Sequence, residues 1–237
     1  MSFDRLAPHY RWMERVLTGG KLQRCRLAWL GEVRESRNVL VVGEGPGRFL
    51  AEAARALPSV RFCCVDASAA MLERARVAWA NAGGKPLRAQ FVRAELPAWQ
   101  PPAGAFDLVV THFFLDCFPP ESLAAVVTRL AAAARGDARW LLADFCVPAR
   151  GAARLRARLV LWAAYSFFRV ATRLPARQLA TPDACLEAEG FRLMRRRTSD
   201  WGLLYSDLWQ RGAPASAAGP TSDALAPGLR AASVRPP

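Results

Sequence analysis

The stretch that decides the fold is Val39-Leu40-Val41-Val42-Gly43-Glu44-Gly45-Pro46-Gly47-Arg48. Its four apolar residues predict a buried parallel strand, and its three alternating glycines predict a tight turn into a helix. Glycine lets the backbone bend sharply and approach a ligand without a Cβ in the way. The stretch therefore predicts a strand, a ligand-binding turn and a helix, with a plain strand-to-helix turn as the alternative.

The glycine spacing separates two classes of ligand. Gly43, Gly45 and Gly47 follow the pattern G-x-G-x-G, whereas a dinucleotide fingerprint is G-x-G-x-x-G. Glu44 inside the loop would repel a pyrophosphate but could attract an ammonium group. The loop therefore favours a cofactor that carries an amino acid over NAD, and an NAD-dependent oxidoreductase is the more distant alternative.

Strands and helices alternate along the chain outward from this loop. The predicted strands after the first are 60–65, 87–92, 106–111, 140–145, 191–198 and 203–210. The predicted helices are two within 3–33, then 48–57, 68–82, 119–135, 152–172 and 182–189. This alternation predicts an α/β fold with a seven-stranded, mostly parallel sheet and helices on both faces. Ligands bind such sheets at the carboxyl ends of the strands.

Composition narrows the class of protein only partly. The chain has 237 residues, enough for one α/β domain, and a net charge of +13 that comes almost entirely from arginine. That charge is compatible with nucleic acid, anionic lipid or an acidic substrate, and also with a GC-rich genome. The six cysteines show no metal-ligand spacing, so we expect reduced thiols and no metal site. No signal peptide is recognisable, and we predict a cytoplasmic protein.

Two acids follow the second and third predicted strands. Asp66 could accept hydrogen bonds from ribose hydroxyls, or it could cap the next helix. Glu95 could accept a hydrogen bond from an adenine amine, or it could be a solvated loop carboxylate. Both acids would lie at the same edge of the sheet as the glycine loop.

Polar residues also follow the fourth predicted strand. His112 could act as a general base, because its unperturbed pKa lies near neutrality. Asp116 could orient His112 or the substrate, and we take both as candidate catalytic residues. In the alternative, Phe113, Phe114 and Phe118 only wall a pocket and His112 is structural.

Together these residues resemble the class I S-adenosylmethionine-dependent methyltransferases. The resemblance rests on the glycine loop, Asp66-Ala67-Ser68, Met71-Leu72, Glu95, Phe106-Asp107-Leu108-Val109, Arg135-Gly136-Asp137 and Glu189-Gly190-Phe191. Residues 3–10 are similar to the start of the ubiquinone/menaquinone methyltransferases. The chain departs from the family at Glu44 and Glu95, where Asp is common, and its segment after the fourth strand does not match the quinone enzymes.

The resemblance implies a cofactor, a set of contacts and a domain plan. The cofactor is S-adenosylmethionine, with its methionine part in the glycine loop, its ribose at Asp66, its adenine at Glu95 and Tyr10 closing over it. The implied cofactor contacts are Tyr10, Gly43, Glu44, Gly45, Gly47, Asp66, Ala67, Met71, Glu95, Leu96, Thr111 and His112. The implied methyltransferase domain is 1–210, with 1–36 as a helical cap, and 211–237 is a disordered tail by composition.

The helix predicted at 152–172 has an apolar middle among arginines. Seven arginines and no acid lie between Arg150 and Arg177. Residues 154–172 could cover an apolar substrate or rest on an anionic membrane surface, with Trp162, Tyr165, Phe167 and Phe168 in an aromatic pocket or in the interface. Alternatively, the helix packs on the sheet with solvated arginines.

We therefore expect an enzyme that moves a methyl group to a small aromatic or lipid-like acceptor. Methyl transfer is an in-line displacement, so alignment and exclusion of water can supply much of the rate. Two alternatives stay open: an RNA or DNA methyltransferase, which the charge favours but no base-flipping motif supports, and a non-catalytic protein that binds the cofactor.

Overall fold

The computed structural model describes residues 20–172 and 179–212, and these build one seven-stranded sheet. Its strands are β1 Asn38–Val42, β2 Arg61–Asp66, β3 Ala89–Arg93, β4 Phe106–His112, β5 Ala134–Phe145, β6 Phe191–Ser199 and β7 Leu204–Arg211. Their order across the sheet is β3-β2-β1-β4-β5-β7-β6. Strands β1 to β5 pair in parallel, and β7 runs antiparallel to both β5 and β6. The predicted fold class is confirmed.

Helices cover both faces of this sheet. They are α1 Lys21–Arg26, α2 Arg48–Ala56, α3 Ala69–Asn81, α4 Pro120–Ala133, α5 Gly151–Thr172 and α6 Asp183–Ala188. Buried side chains of α4 and α6 form one core with Leu40 and Val42, whereas α2 and α3 pack on Val39 and Val41. Alternate residues of β1 therefore point to opposite faces, as a strand buried on both sides requires.

Local chemistry explains where several helices begin and end. The Ser68 hydroxyl accepts a hydrogen bond from the Met71 N–H at 3.1 Å and caps α3, as its sequence position predicts. Pro120 opens α4, where a missing N–H costs nothing. Gly190 follows α6 with a φ of 83°, a conformation that glycine adopts without strain.

Strand β5 differs from its prediction because it begins at Ala134 and not at residue 140. Ala134 pairs with Phe106, but the next pair is Leu108 with Arg139, so the polar residues between them bulge out of the ladder. A bulge interrupts the alternation by which a strand is recognised in sequence. For the same reason the preceding helix ends two residues before its predicted end.

The strand order reverses beside β1, which lies between β2 and β4. The loops that leave the carboxyl ends of β1 and β4 therefore turn toward opposite faces and open a crevice, the usual ligand site of such sheets. The glycine loop follows β1 directly, as predicted. Within residues 20–172 and 179–212, no helix has the length and apolar character needed to cross a bilayer.

Some expectations fall outside the described residues. These are Tyr10, the first of the two helices predicted within 3–33, and residues 213–237 of the predicted tail. The side chains of Tyr165, Phe167 and Phe168 are likewise not described. The boundary predicted at residue 210 lies one residue inside β7, which ends at Arg211.

Candidate functional site

A pocket opens at the carboxyl ends of β1, β2 and β4, where the strand order predicts one. Seven of the predicted contact residues line it: Gly43, Gly45, Asp66, Ala67, Met71, Glu95 and Leu96. Seven others line it as well: Val42, Val65, Ala94, Phe113, Phe114, Cys117 and Phe118. The sequence indicated the phenylalanines as possible walls, but nothing in it pointed to Ala94 or Cys117.

The three glycines of the loop serve two purposes. A Cβ on Gly43 would lie 2.2 Å from the ring of Phe114, and one on Gly47 would lie 2.7 Å from the Cα of Ala75 in α3. A Cβ on Gly45 would meet no atom within 4 Å. All three have positive φ, between 62° and 81°. Gly43 and Gly47 therefore allow close packing, while Gly45 exposes its backbone to the pocket.

Asp66 ties the glycine loop to β2. Its Oδ2 accepts a hydrogen bond from the Gly45 N–H at 3.1 Å, and its Oδ1 accepts one from the Ser68 N–H at 2.9 Å. Because Ser68 caps α3, Asp66 is not the cap that the alternative interpretation made it. The carboxylate thus forms part of the pocket wall and holds the loop that faces it.

Glu44 has a different environment from the one its sequence position suggested. Its Oε1 accepts hydrogen bonds from the Phe49 and Leu50 N–H groups, at 2.9 and 3.0 Å, in the first turn of α2. Burial raises the pKa of Glu44 to about 7, against the lowering effect of these N–H groups and of Arg26. Its observed hydrogen bonds fasten the loop to α2, and Glu44 is not among the pocket-lining residues.

The outer part of the pocket is formed around β3. Glu95 is exposed at the rim, and its backbone carbonyl accepts a hydrogen bond from the Trp99 N–H at 2.9 Å. Met71 and Leu96 are buried and supply apolar surface beside it. The sequence predicted Glu95 as an acceptor for an adenine amine, and the structure adds the apolar surface beside it.

The end of β4 carries two predicted residues that lie outside the pocket lining. Thr111 is fully buried, and its Oγ1 accepts a hydrogen bond from the Trp140 indole at 2.8 Å. His112 is buried edge-on against Phe49, with ring centroids 4.8 Å apart. Burial, together with Arg26, lowers the pKa of His112 well below its usual value, so the imidazole is neutral at pH 7. Its Nδ1 has no hydrogen-bond partner among the described residues.

Asp116 pairs with another buried acid. Its carboxyl hydrogen-bonds to that of Asp144, whose Oδ2 also accepts from the Asp116 N–H at 3.1 Å. Burial first, and the Asp116 charge next, raise the pKa of Asp144 well above its usual range. Two adjacent buried carboxyls cannot both ionise without a large penalty, so the pair holds a proton. The Cys117 thiol donates to Asp116 Oδ1 at 3.6 Å.

Arg26 is a buried cation that sequence analysis did not single out. Its guanidinium carbon lies 4.9 Å from the ring centroid of Phe113, which lines the pocket. Its charge lowers the pKa of both Glu44 and His112. An arginine in a short basic helix gives no sign of burial, so only the packing of α1 against the sheet identifies it.

Comparison with known proteins gives this geometry a family context. Residues 39–137 match a family model described as a methyltransferase domain. That segment runs from β1 into the start of β5 and contains the glycine loop, Asp66 and Glu95. No curated protein matches the sequence.

Several methyltransferases of known structure have the same fold. The mitomycin 7-O-methyltransferase superposes with a TM-score of 0.66 at 19% identity, covering 90% of this chain and 61% of that one. A 1,6-didemethyltoxoflavin-N1-methyltransferase from Burkholderia thailandensis, with bound S-adenosylhomocysteine, gives 0.60 at 18%, covering 88% and 86%. The magnesium protoporphyrin IX methyltransferase from Synechocystis PCC 6803, also with S-adenosylhomocysteine, gives 0.59 at 19%, covering 81% and 84%.

At these identities the likeness establishes the fold. The chain spans only 61% of the length of the mitomycin enzyme and 55% of another matched methyltransferase. The family model adds the domain type. The chain therefore has the fold of these methyltransferases, and its residues 39–137 are similar to a methyltransferase domain.

Proposed function

We propose that the protein transfers a methyl group from S-adenosylmethionine to a small aromatic or lipid-like acceptor. The observation that carries this proposal is the cradle formed by Gly45 and Asp66. Gly45 presents backbone with no atom within 4 Å of where its Cβ would be, and the Asp66 carboxylate holds the Gly45 N–H beside it. A side chain on Gly45 would fill this space.

The residues present fit the cofactor. We assign the methionine part to the glycine loop, the ribose hydroxyls to Asp66, and the adenine to the slot between Met71 and Leu96, with Glu95 at the amine. A carboxylate has about four acceptor sites, so Asp66 can accept ribose hydroxyls as well as backbone N–H groups. When bound, S-adenosylmethionine supplies a methyl group that is already an activated electrophile.

The aromatic walls support an apolar, planar acceptor. Phe114 and Phe118 stack edge to face with centroids 5.1 Å apart, and Phe113 lies 5.1 Å from Phe145. Such rings exclude water and orient flat conjugated molecules. The structural neighbours act on or bind molecules of this kind, namely mitomycin, didemethyltoxoflavin, a porphyrin and apigenin.

Cofactor binding is the first test, by calorimetric titration with S-adenosylhomocysteine. We expect micromolar affinity in the wild type and a loss of at least about tenfold in Asp66→Asn, because an amide replaces an acceptor of charge-assisted hydrogen bonds. The matched control is Asp107→Asn. Asp107 also accepts backbone N–H groups, from Arg37 and Asn38, but at the opposite end of the sheet.

Folded wild-type protein that binds neither S-adenosylmethionine nor S-adenosylhomocysteine would contradict the proposal. Equal losses in the Asp66 and Asp107 variants would instead show that only stability had changed. Binding without methylation of any phenol, quinone or lipid would favour a non-catalytic role.

We also propose His112 as the base for acceptors that must lose a proton; because it is buried and does not line the pocket, we expect the proton to reach it through one bridging water. Its neutral imidazole can accept a proton, and its buried Nδ1 lacks a partner among the described residues. We expect His112→Phe to lower kcat for a phenol about 100-fold at neutral pH, with S-adenosylhomocysteine affinity unchanged. Activity should recover as the pH rises past the acceptor's own pKa. A kcat loss that persists at high pH would assign His112 a structural role.

A further inference from the structure

Helix α5 carries three large apolar side chains on the side that faces away from the sheet. Leu155, Leu159 and Trp162 follow the spacing i, i+4, i+7, and their exposed fractions are 65%, 59% and 71%. Ala157 and Leu161 point the other way and are buried in a core with β5. Side chains at these spacings share a helix face. Apolar residues of a surface helix usually face the protein core, whereas these three face away from it. Leu155, Leu159 and Trp162 therefore do not cover an internal pocket.

Arginines border this exposed stripe on both sides. Arg154 and Arg158 lie along one edge by their helical positions, and Arg156 lies along the other. The first two turns of the helix therefore place cations beside the apolar residues. We name the three apolar residues and Arg154 and Arg158 the α5 surface.

The orientation of the α5 surface is fixed by an ion pair at its inner edge. The Arg156 guanidinium donates to both carboxylate oxygens of Asp200, at 3.2 and 3.1 Å, and Lys21 of α1 binds the same carboxylate. Asp200 belongs to the turn between β6 and β7, and the next residue, Trp201, is 71% exposed with its ring 5.8 Å from Arg156. A second exposed indole therefore lies beside the helix.

From this arrangement we infer that the α5 surface binds the face of a lipid bilayer that carries anionic phospholipids. Aliphatic and indole side chains enter the headgroup boundary, while flanking arginines pair with lipid phosphates. Nucleic acid would satisfy the arginines, but it would leave Leu155 and Leu159 against charged backbone. A second copy of the chain would bring two arginine-bordered stripes of the same sign together, in a protein whose net charge is +13.

Vesicle co-sedimentation of the full chain tests this inference, with phosphatidylcholine vesicles made with and without phosphatidylglycerol. We expect binding only when phosphatidylglycerol is present. The triple variant L155S/L159S/W162S should bind at least about tenfold more weakly, because little apolar area remains to insert. Arg154→Gln with Arg158→Gln should weaken binding about 25-fold, which is fivefold for each charge, and added salt should weaken it too.

Two matched controls test whether vesicle binding depends on the α5 surface or only on the general charge and hydrophobicity of the protein. Leu87→Ser removes another exposed apolar side chain, 98% accessible, from a different part of the molecule. Arg34→Gln with Arg37→Gln removes two exposed arginines just before β1. Both controls should bind vesicles within about twofold of the wild type, since neither site lies on the α5 surface.

Three results would overturn the inference. One is an absence of binding to phosphatidylglycerol vesicles. Another is equal binding by wild type and the triple variant. The third is a wild-type dimer, seen by sedimentation equilibrium, that the triple variant converts to monomer. Vesicle binding needs no cofactor, so the calorimetric titration with S-adenosylhomocysteine can fail or succeed independently.

Discussion

The two halves of the sheet use acidic residues in opposite ways. On the half formed by β1, β2 and β3, Asp66 and Glu95 end at the pocket wall and rim. On the half formed by β4 to β7, Asp144 and Asp207 are buried within the sheet. Asp144 pairs with Asp116, and Asp207 receives two hydrogen bonds from Arg196, at 2.8 and 2.6 Å. Acidic side chains therefore face the pocket on one half and are buried within the fold on the other.

The difference follows from the position of each acid along its strand. Asp66 is the last residue of β2, where the backbone leaves the sheet and the side chain reaches the crevice. Asp207 lies in the middle of β7, opposite Leu142 of β5, and no crevice is available to it. A buried carboxylate in such a position requires a cation or a shared proton.

The largest effect that we predict comes from breaking the ion pair between Arg196 and the buried Asp207. Arg196→Met leaves Asp207 without its guanidinium and should lower the free energy of unfolding by about 4 kcal/mol. Chemical denaturation measures the loss. Arg197→Met, at the next position of the same strand but outside this ion pair, should change it by less than about 0.5 kcal/mol.

The comparison of the two halves also requires that Arg196→Met leave the affinity for S-adenosylhomocysteine unchanged at a temperature where the variant is folded. A fall in affinity as large as that of Asp66→Asn would mean that the two halves are not functionally distinct.

The next effect compares two glycines of one loop. Gly47→Ala forces a Cβ to within 2.7 Å of the Ala75 backbone at a φ of 81°, and should destabilise the fold by about 3 kcal/mol. Gly45→Ala at a φ of 62° meets no neighbour, so only the backbone strain of about 1 kcal/mol applies.

For cofactor affinity we expect the opposite order, with Gly45→Ala more damaging than Gly47→Ala. Gly45→Ala fills the cradle and should weaken S-adenosylhomocysteine binding more than tenfold, roughly the cost of 1.4 kcal/mol or more. Unfolding curves and titrations on both variants measure the two quantities. If Gly45→Ala binds normally, the cofactor does not approach the loop at that residue.

Sequence patterns were sufficient for the sheet and for many of the residues that line the pocket. Asp66 lies in the pocket wall, and its role at a ribose stays a prediction. The apolar run before Gly43 and the cap at Ser68 are local signals, and both were confirmed in the structure. They succeed because strand ends, turns and caps depend on residues only a few positions apart.

The sequence was insufficient where the outcome depends on which face of the sheet a side chain takes. His112 and Thr111 follow each other at the end of β4, and both were predicted to contact the cofactor. In the structure, Thr111 bonds to Trp140 on one face, and His112 packs on Phe49 on the other. Arg26 shows the same limit, since its burial results from packing between distant segments.

Glu44 provides a pH-dependent test of the loop. Its pKa is raised in the fold to about 7 from an ordinary value of 4.5, because burial disfavours the ionised carboxylate. A raised pKa stabilises the fold below about pH 4.5, and that contribution is lost as the pH rises through 7.

We therefore expect the wild type to lose unfolding free energy relative to Glu44→Gln between these pH values, by on the order of 2 kcal/mol. Both proteins are denatured at several pH values, and the difference in unfolding free energy at each pH is taken. This difference cancels the contribution of all other titrating groups. A difference that is independent of pH would show that Glu44 ionises normally.

The smallest effect concerns the junction between the pocket and α3. Ser68→Ala removes the hydroxyl that accepts from the Met71 N–H and should cost about 1 kcal/mol of unfolding free energy. The Ser68 backbone N–H still donates to Asp66, so the carboxylate keeps its position and cofactor affinity should stay within about twofold. Ser122→Ala in the first turn of α4, where the hydroxyl donates only to the Pro119 carbonyl, is the control for a lost hydroxyl. If Ser68→Ala weakened binding as strongly as Asp66→Asn, the helix cap would be part of the ligand site. Polar groups that bind ligand and polar groups that stabilise the fold would then not be separate, even on the half formed by β1, β2 and β3.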